Sequence, residues 1–81
     1  MTDTKLPQPF RSGDVRPGNV LAVDGLRGRW SVWSAGPESS TWWLLPIDDA
    51  ARADVNRNAA SILHRSAGAI AVATKSLRNA R

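Results

Sequence analysis

Hydrophobic and polar positions alternate with a period of two over residues 29–34, Arg-Trp-Ser-Val-Trp-Ser. Such alternation marks a half-buried strand, with Trp30, Val32 and Ser34 on one face and Arg29, Ser31 and Trp33 on the other. A short apolar run at 19–24 precedes it, and Gly25-Leu26-Arg27-Gly28 makes a tight connection between the two. Residues 35–39, Ala-Gly-Pro-Glu-Ser, are turn chemistry, and a third apolar run at 41–45 stops at Pro46. Strand, glycine turn, strand, Gly-Pro turn, strand predicts a three-stranded meander.

The second half of the chain admits two readings. Asp48 or Asp49 can cap a helix that begins at Ala50. That helix either stops near Asn56-Arg57-Asn58 or runs on to Ser66, with Ala51, Val55, Ala59, Ile62 and Leu63 on one stripe. The shorter helix is favoured. It leaves residues 60–64 as a strand, 65–68 as a turn and 69–74 as a last strand, in which Ile70 and Val72 face one way and small alanines the other. Residues 1–12 read as an arm, because Pro7 and Pro9 favour extended backbone and block a helix. Phe10 is a candidate anchor for the end of that arm. A single domain is then expected over residues 13–81, since 81 residues allow one small core.

Composition narrows the function. With no cysteine there is neither a disulfide framework nor a thiolate metal site, which suits a cytoplasmic setting. The N-terminus has no apolar core of a secretory signal, and the run at 67–73 falls far short of the roughly 20 residues a membrane helix needs. The formal net charge is +4, and the basic side is almost all arginine, whose planar fork suits phosphates and base edges. A GC-rich genome would produce much the same Arg, Ala, Gly and Pro content without any function attached.

The aromatic residues are concentrated. Four tryptophans stand against one phenylalanine and no tyrosine, and all four fall between Trp30 and Trp43. Strand parity sends Trp30 and Trp33 to opposite faces, and adjacent Trp42 and Trp43 likewise. One tryptophan of each pair therefore faces the core and one faces away, unless the arm or the C-terminal segment covers the outer pair. Arg27, Arg29, Trp33 and Trp43 form the expected contact patch, Trp43 being named for the outer member of a pair in which the sequence does not give the register and Trp42 is the alternative. It suits nucleic acid, through stacking and charge, or a protein partner, for which tryptophan and arginine are common anchors.

Catalytic chemistry is sparse. His64 is the single histidine, and Ser61, His64 and Asp54 make a triad on paper only, without the sequence context of a nucleophile. Asp48, Asp49 and Asp54 are explained more cheaply by helix capping than by a metal. Gly25 and Gly28 lack the lysine and spacing of a phosphate loop. The expectation is a non-catalytic module with no cofactor, no metal and no small-molecule substrate, acting away from membranes.

Ser12-Gly13-Asp14-Val15, then 20–23, then Gly25-Leu26-Arg27-Gly28-Arg29-Trp30-Ser31-Val32 resembles the opening of an SH3-like small barrel of the KOW type. The ending, 69–78, is similar to the last strand of such domains, which leads into a short turn carrying a leucine that plugs the barrel. The segment 48–58 would be an insertion between strands. The resemblance implies a mainly β fold: a five-stranded SH3-like barrel with one short helix between strands three and four. The alternative is an α+β fold, the meander plus a longer helix over 49–66. Domains of this kind bind nucleic acid, RNA polymerase, ribosomes or peptides, which implies a nucleic-acid-binding or transcription-associated accessory protein. In style the chain also resembles short accessory proteins of phages and mobile elements, whose partner would be a host or self protein.

Overall fold

A computed structural model describes residues 15–80. The arm at 1–12, its Phe10 anchor and the Ser12-Gly13-Asp14 turn lie outside the described residues. Six strands form one antiparallel sheet: β1 (Val20–Val23), β2 (Trp30–Ala35), β3 (Thr41–Pro46), β4 (His64–Ser66), β5 (Ala69–Ala73) and β6 (Leu77–Asn79). The strand order is β4-β5-β3-β2-β1-β6, an unclosed sheet with β4 and β6 at its edges. One short helix, α1 (Asp49–Asp54), lies between β3 and β4.

The meander forms where the period-two pattern places it, and its apolar face makes the core. Leu21, Val23, Trp30, Val32, Leu44, Ile70, Val72 and Leu77 are buried together, with Val15 and Ala51 from outside the strands. Leu26, Trp42, Val55 and Ile62 pack against this cluster. Trp30 is completely buried, yet its indole N–H donates to the Arg27 carbonyl at 3.2 Å, so burial leaves no polar atom unpaired. Trp42 donates to Thr74 Oγ1 at 2.9 Å, and Thr74 Oγ1 donates to the Ser40 carbonyl at 3.0 Å.

The helix is the short one. Asp48 caps it, accepting from Ala51 N at 2.9 Å, and it ends at Asp54 rather than running to Ser66. Three details depart from the sequence reading. The fourth strand spans His64–Ser66 instead of 60–64. A turn at 59–62, closed by Ile62 N to the Ala59 carbonyl at 3.1 Å, sends Ile62 onto the core, so pairing begins only with Leu63 N on the Ala71 carbonyl.

Among the described residues there are six strands, not five. After a 3₁₀ turn at Thr74–Ser76 the chain enters β6, which pairs with the open side of β1 and buries Leu77. Finally, Ser34 does not share the face of Val32. The register shifts between them: Val32 is opposite Leu44 and Ser34 is opposite Trp43. Trp33 is the extra residue of a β-bulge, which lets two consecutive residues oppose one on the partner strand.

Candidate functional site

The face of the sheet away from the core carries the exposed aromatic residues. Register assigns its members. Directly opposed residues share a face, so Val20, Ser31 and Leu45 stand in one row and Ser34, Trp43, Ala71 and His64 in the next. The bulge adds Trp33 to the second row, and Trp33 is 55% exposed. Trp43 is half-buried on this face, while its neighbour Trp42 packs on the core. Pairing continues below Pro46, where Ile47 N donates to the Arg29 carbonyl at 3.0 Å, so alternation along β2 and β3 puts Arg29 and Ile47 on the same outer face. Val20, Leu45 and Ile47 are all exposed. Ala71, between Trp43 and His64 in register, is fully buried.

Charge at this face is set by what the carboxylates do elsewhere. Asp48 Oδ2 accepts from Arg29 N at 3.1 Å while its other oxygen caps α1. Asp49 pairs with Arg52, Asp24 with Arg78, and Glu38 with His64. Asp54 is buried, with its carboxylate taken by Arg27 at 3.0 Å and Arg57 at 3.6 Å. Every carboxylate among the described residues is thus engaged internally. Arg16, Arg29, Arg65 and Lys75 have no carboxylate partner among those residues, and the uncompensated charge at the surface is positive.

The residues singled out from sequence fall into two groups. Arg29, Trp33 and Trp43 share the outer face, the two tryptophans side by side and Arg29 four residues away toward the start of β2. Arg27 is not free in the same way: its backbone N–H donates to Asp54 Oδ2 at 2.7 Å and its guanidinium to Oδ1 at 3.0 Å. The guanidinium hydrogen bond is the main reason the Asp54 carboxyl is held below the usual carboxylate range, and the Arg27 backbone N–H adds to it against the opposing effect of burial. Arg27 therefore fastens the β1–β2 connection to α1.

Arg16, Val20, Leu45 and Ile47 escaped the sequence reading. Leu45 was legible, since it shares parity with Trp43. Arg16 was not. It is placed by backbone pairing, Gly18 N to the Val32 carbonyl at 2.8 Å and Val32 N to the Asn19 carbonyl at 2.9 Å, which lays the Arg16-Pro17-Gly18-Asn19 turn beside Val32 and Trp33.

Ser61, His64 and Asp54 have separate partners. Ser61 Oγ donates to the Asp24 carbonyl, His64 Nε2 lies 2.9 Å from Glu38 Oε2, and Asp54 holds Arg27. No group of three or more His, Asp or Glu side chains is arranged to hold a metal among the described residues. Among the same residues, no helix is long and apolar enough to cross a membrane. No family model, no curated protein and no solved structure matches the chain.

Proposed function

We propose that this chain is a small, non-catalytic, cytoplasmic module that binds nucleic acid on the outer face of its sheet, in an accessory role such as one in transcription. One observation carries the reading. The β2 bulge projects Trp33 beside Trp43 on a face that carries Arg29, with the turn bearing Arg16 paired to Val32 at its β1 side, and neither arginine has a carboxylate partner among the described residues. Indoles stack on bases at about 1–3 kcal/mol each, and unpaired arginines exchange counterions for phosphates. The fold belongs to the same proposal, as an SH3-like small barrel of the KOW type. The return of β6 to β1 after a 3₁₀ turn, with Leu77 in the core, supports it.

A second reading is favoured by Val20, Leu45 and Ile47, which extend the face with apolar surface that bases do not need. In that reading the same face docks a protein. Salt separates the two. Anisotropy titrations of labelled oligonucleotides, from roughly 50 to 200 mM salt, are expected to show affinity falling linearly on logarithmic axes. Arg29→Ala is expected to lower that slope by about one, and Trp33→Ala to weaken binding with the slope unchanged. Failure to bind either single-stranded or duplex oligonucleotides at the lowest salt overturns the nucleic-acid reading and leaves the protein-docking one.

A further inference from the structure

If the outer face binds nucleic acid, its side chains also choose between paired and unpaired strands. Resting on that nucleic-acid reading, we infer that the face takes an unpaired strand, with bases on Trp33 and Trp43 and phosphates on Arg16 and Arg29, and that it discriminates against duplex.

The aromatic groups require this. An indole engages the flat face of a base, and in a duplex those faces are closed by neighbouring base pairs. They become accessible where bases are unstacked. Trp33 and Trp43 sit side by side on adjacent strands, about 5 Å apart in backbone spacing, so together they make one aromatic platform for bases that lean across from β2 toward β3. Neither indole N–H has a hydrogen-bond partner among the described residues, in contrast to those of Trp30 and Trp42.

Duplex readout needs a different device, a helix or a two-stranded ribbon that enters a groove. The described residues offer neither in basic form. α1 has six residues, with Ala51 and Asp54 buried, and Arg65 donates to the carbonyls of Val55 and Arg57 just beyond its end. The β4–β5 hairpin turns on Ala67 and Gly68, which carry no charge, and the β2–β3 turn carries Glu38.

The cations define the direction of the track. The Arg16 turn lies beside Trp33 on the β1 side. Arg29 lies four residues down β2, roughly 13 Å away at the rise of a strand. On the opposite side the row ends in His64 and Glu38, 2.9 Å apart, and the carboxylate there disfavours phosphate. The phosphates therefore run along the β1–β2 side and the bases lean toward β3.

The test uses the full chain and four probes at matched salt: a labelled single strand of DNA, the RNA of the same sequence, the blunt duplex, and an abasic strand. Both single strands, or one of them, are expected to bind at least about tenfold more tightly than the duplex and the abasic strand. Whether DNA or RNA is the tighter identifies the source of the strand. Trp33→Ala and Trp43→Ala are each expected to cut single-strand affinity about 5- to 100-fold with little effect on duplex, and Trp33→Phe to restore part of the loss. Arg16→Ala is expected to lower the salt slope by about one. Duplex bound as tightly as single strand, or an abasic strand bound as tightly as one with bases, overturns the inference while nucleic-acid binding stands. Binding to none of the four overturns both.

Discussion

Gly28 has little room to change. Its φ is +78°, and a Cβ there would overlap Asp48 Oδ1 and Ala51 N and lie 2.9 Å from Ala51 Cα. The Ala51 atoms are backbone at the start of α1, so no side-chain rotation relieves the clash. Gly28→Ala is expected to cost about 2–4 kcal/mol, read as a lowered urea midpoint. The β4–β5 turn presents the opposite case. Ala67 and Gly68 have φ of +51° and +84°, the two-residue hairpin that wants positive φ at both positions. Alanine adopts that conformation poorly and asparagine well. Ala67→Asn is therefore expected to stabilise the protein by about 0.5–1 kcal/mol, seen as a higher midpoint with the same slope. Loss of stability in that variant would mean that β4 and β5 are joined by a different turn.

At the scale of elements, α1 is too short to persist by itself, and contacts from other segments hold it. Asp48 binds Ala51 N and Arg29 N, Asp54 binds Arg27, and Arg65 reaches the carbonyls of Val55 and Arg57. The helix is in effect a clasp across the connection that carries β1 into β2. Its pH dependence follows from Asp54. A carboxyl held below its ordinary value in the folded state contributes stability that is fully present above about pH 4 and is lost as pH falls through the folded value. Asp54→Asn is expected to be clearly less stable than the natural protein at neutral pH. That difference should shrink as denaturation is followed below about pH 4. A difference that stays constant down to about pH 2 would mean the Arg27 contact does not form in solution.

At the scale of the molecule, β6 completes the core. Leu77 is fully buried and enters from the last strand, which pairs only with β1. Leu77→Ala is expected to cost about 2–5 kcal/mol, a large fraction of the stability of so small a domain, and to loosen β1 along with β6. Hydrogen exchange at Leu21 and Val23 is the measurement that checks it. Unchanged protection there would show that the C-terminal strand is dispensable. The outer face of the sheet belongs to this scale too. Its charge arises because Asp24, Asp49 and Asp54 are held in ion pairs, while Arg29 has no carboxylate partner among the described residues.

Much of this was readable along the chain. The period of two placed β2, apolar runs between turns placed β1 and β3, Asp48 and its neighbours marked a short helix, and parity separated Trp30 from Trp33. Each of these depends on residues a few positions apart, whose relation the backbone geometry sets before any long-range contact forms. Other features depended on which segments met. The bulge at Trp33 exists only in the register between β2 and β3, so Ser34 changed face. Arg27 was withdrawn toward Asp54, 27 residues away, and the turn that carries Arg16 was laid beside β2 by the pairing of Gly18 and Asn19 with Val32. The shift of the fourth strand to His64–Ser66 followed from packing Ile62 on the core, and the sixth strand from the open side of β1. Periodicity is a property of neighbours on the chain, whereas cross-strand register and ion pairing are properties of neighbours in space, and only the folded sheet selects those.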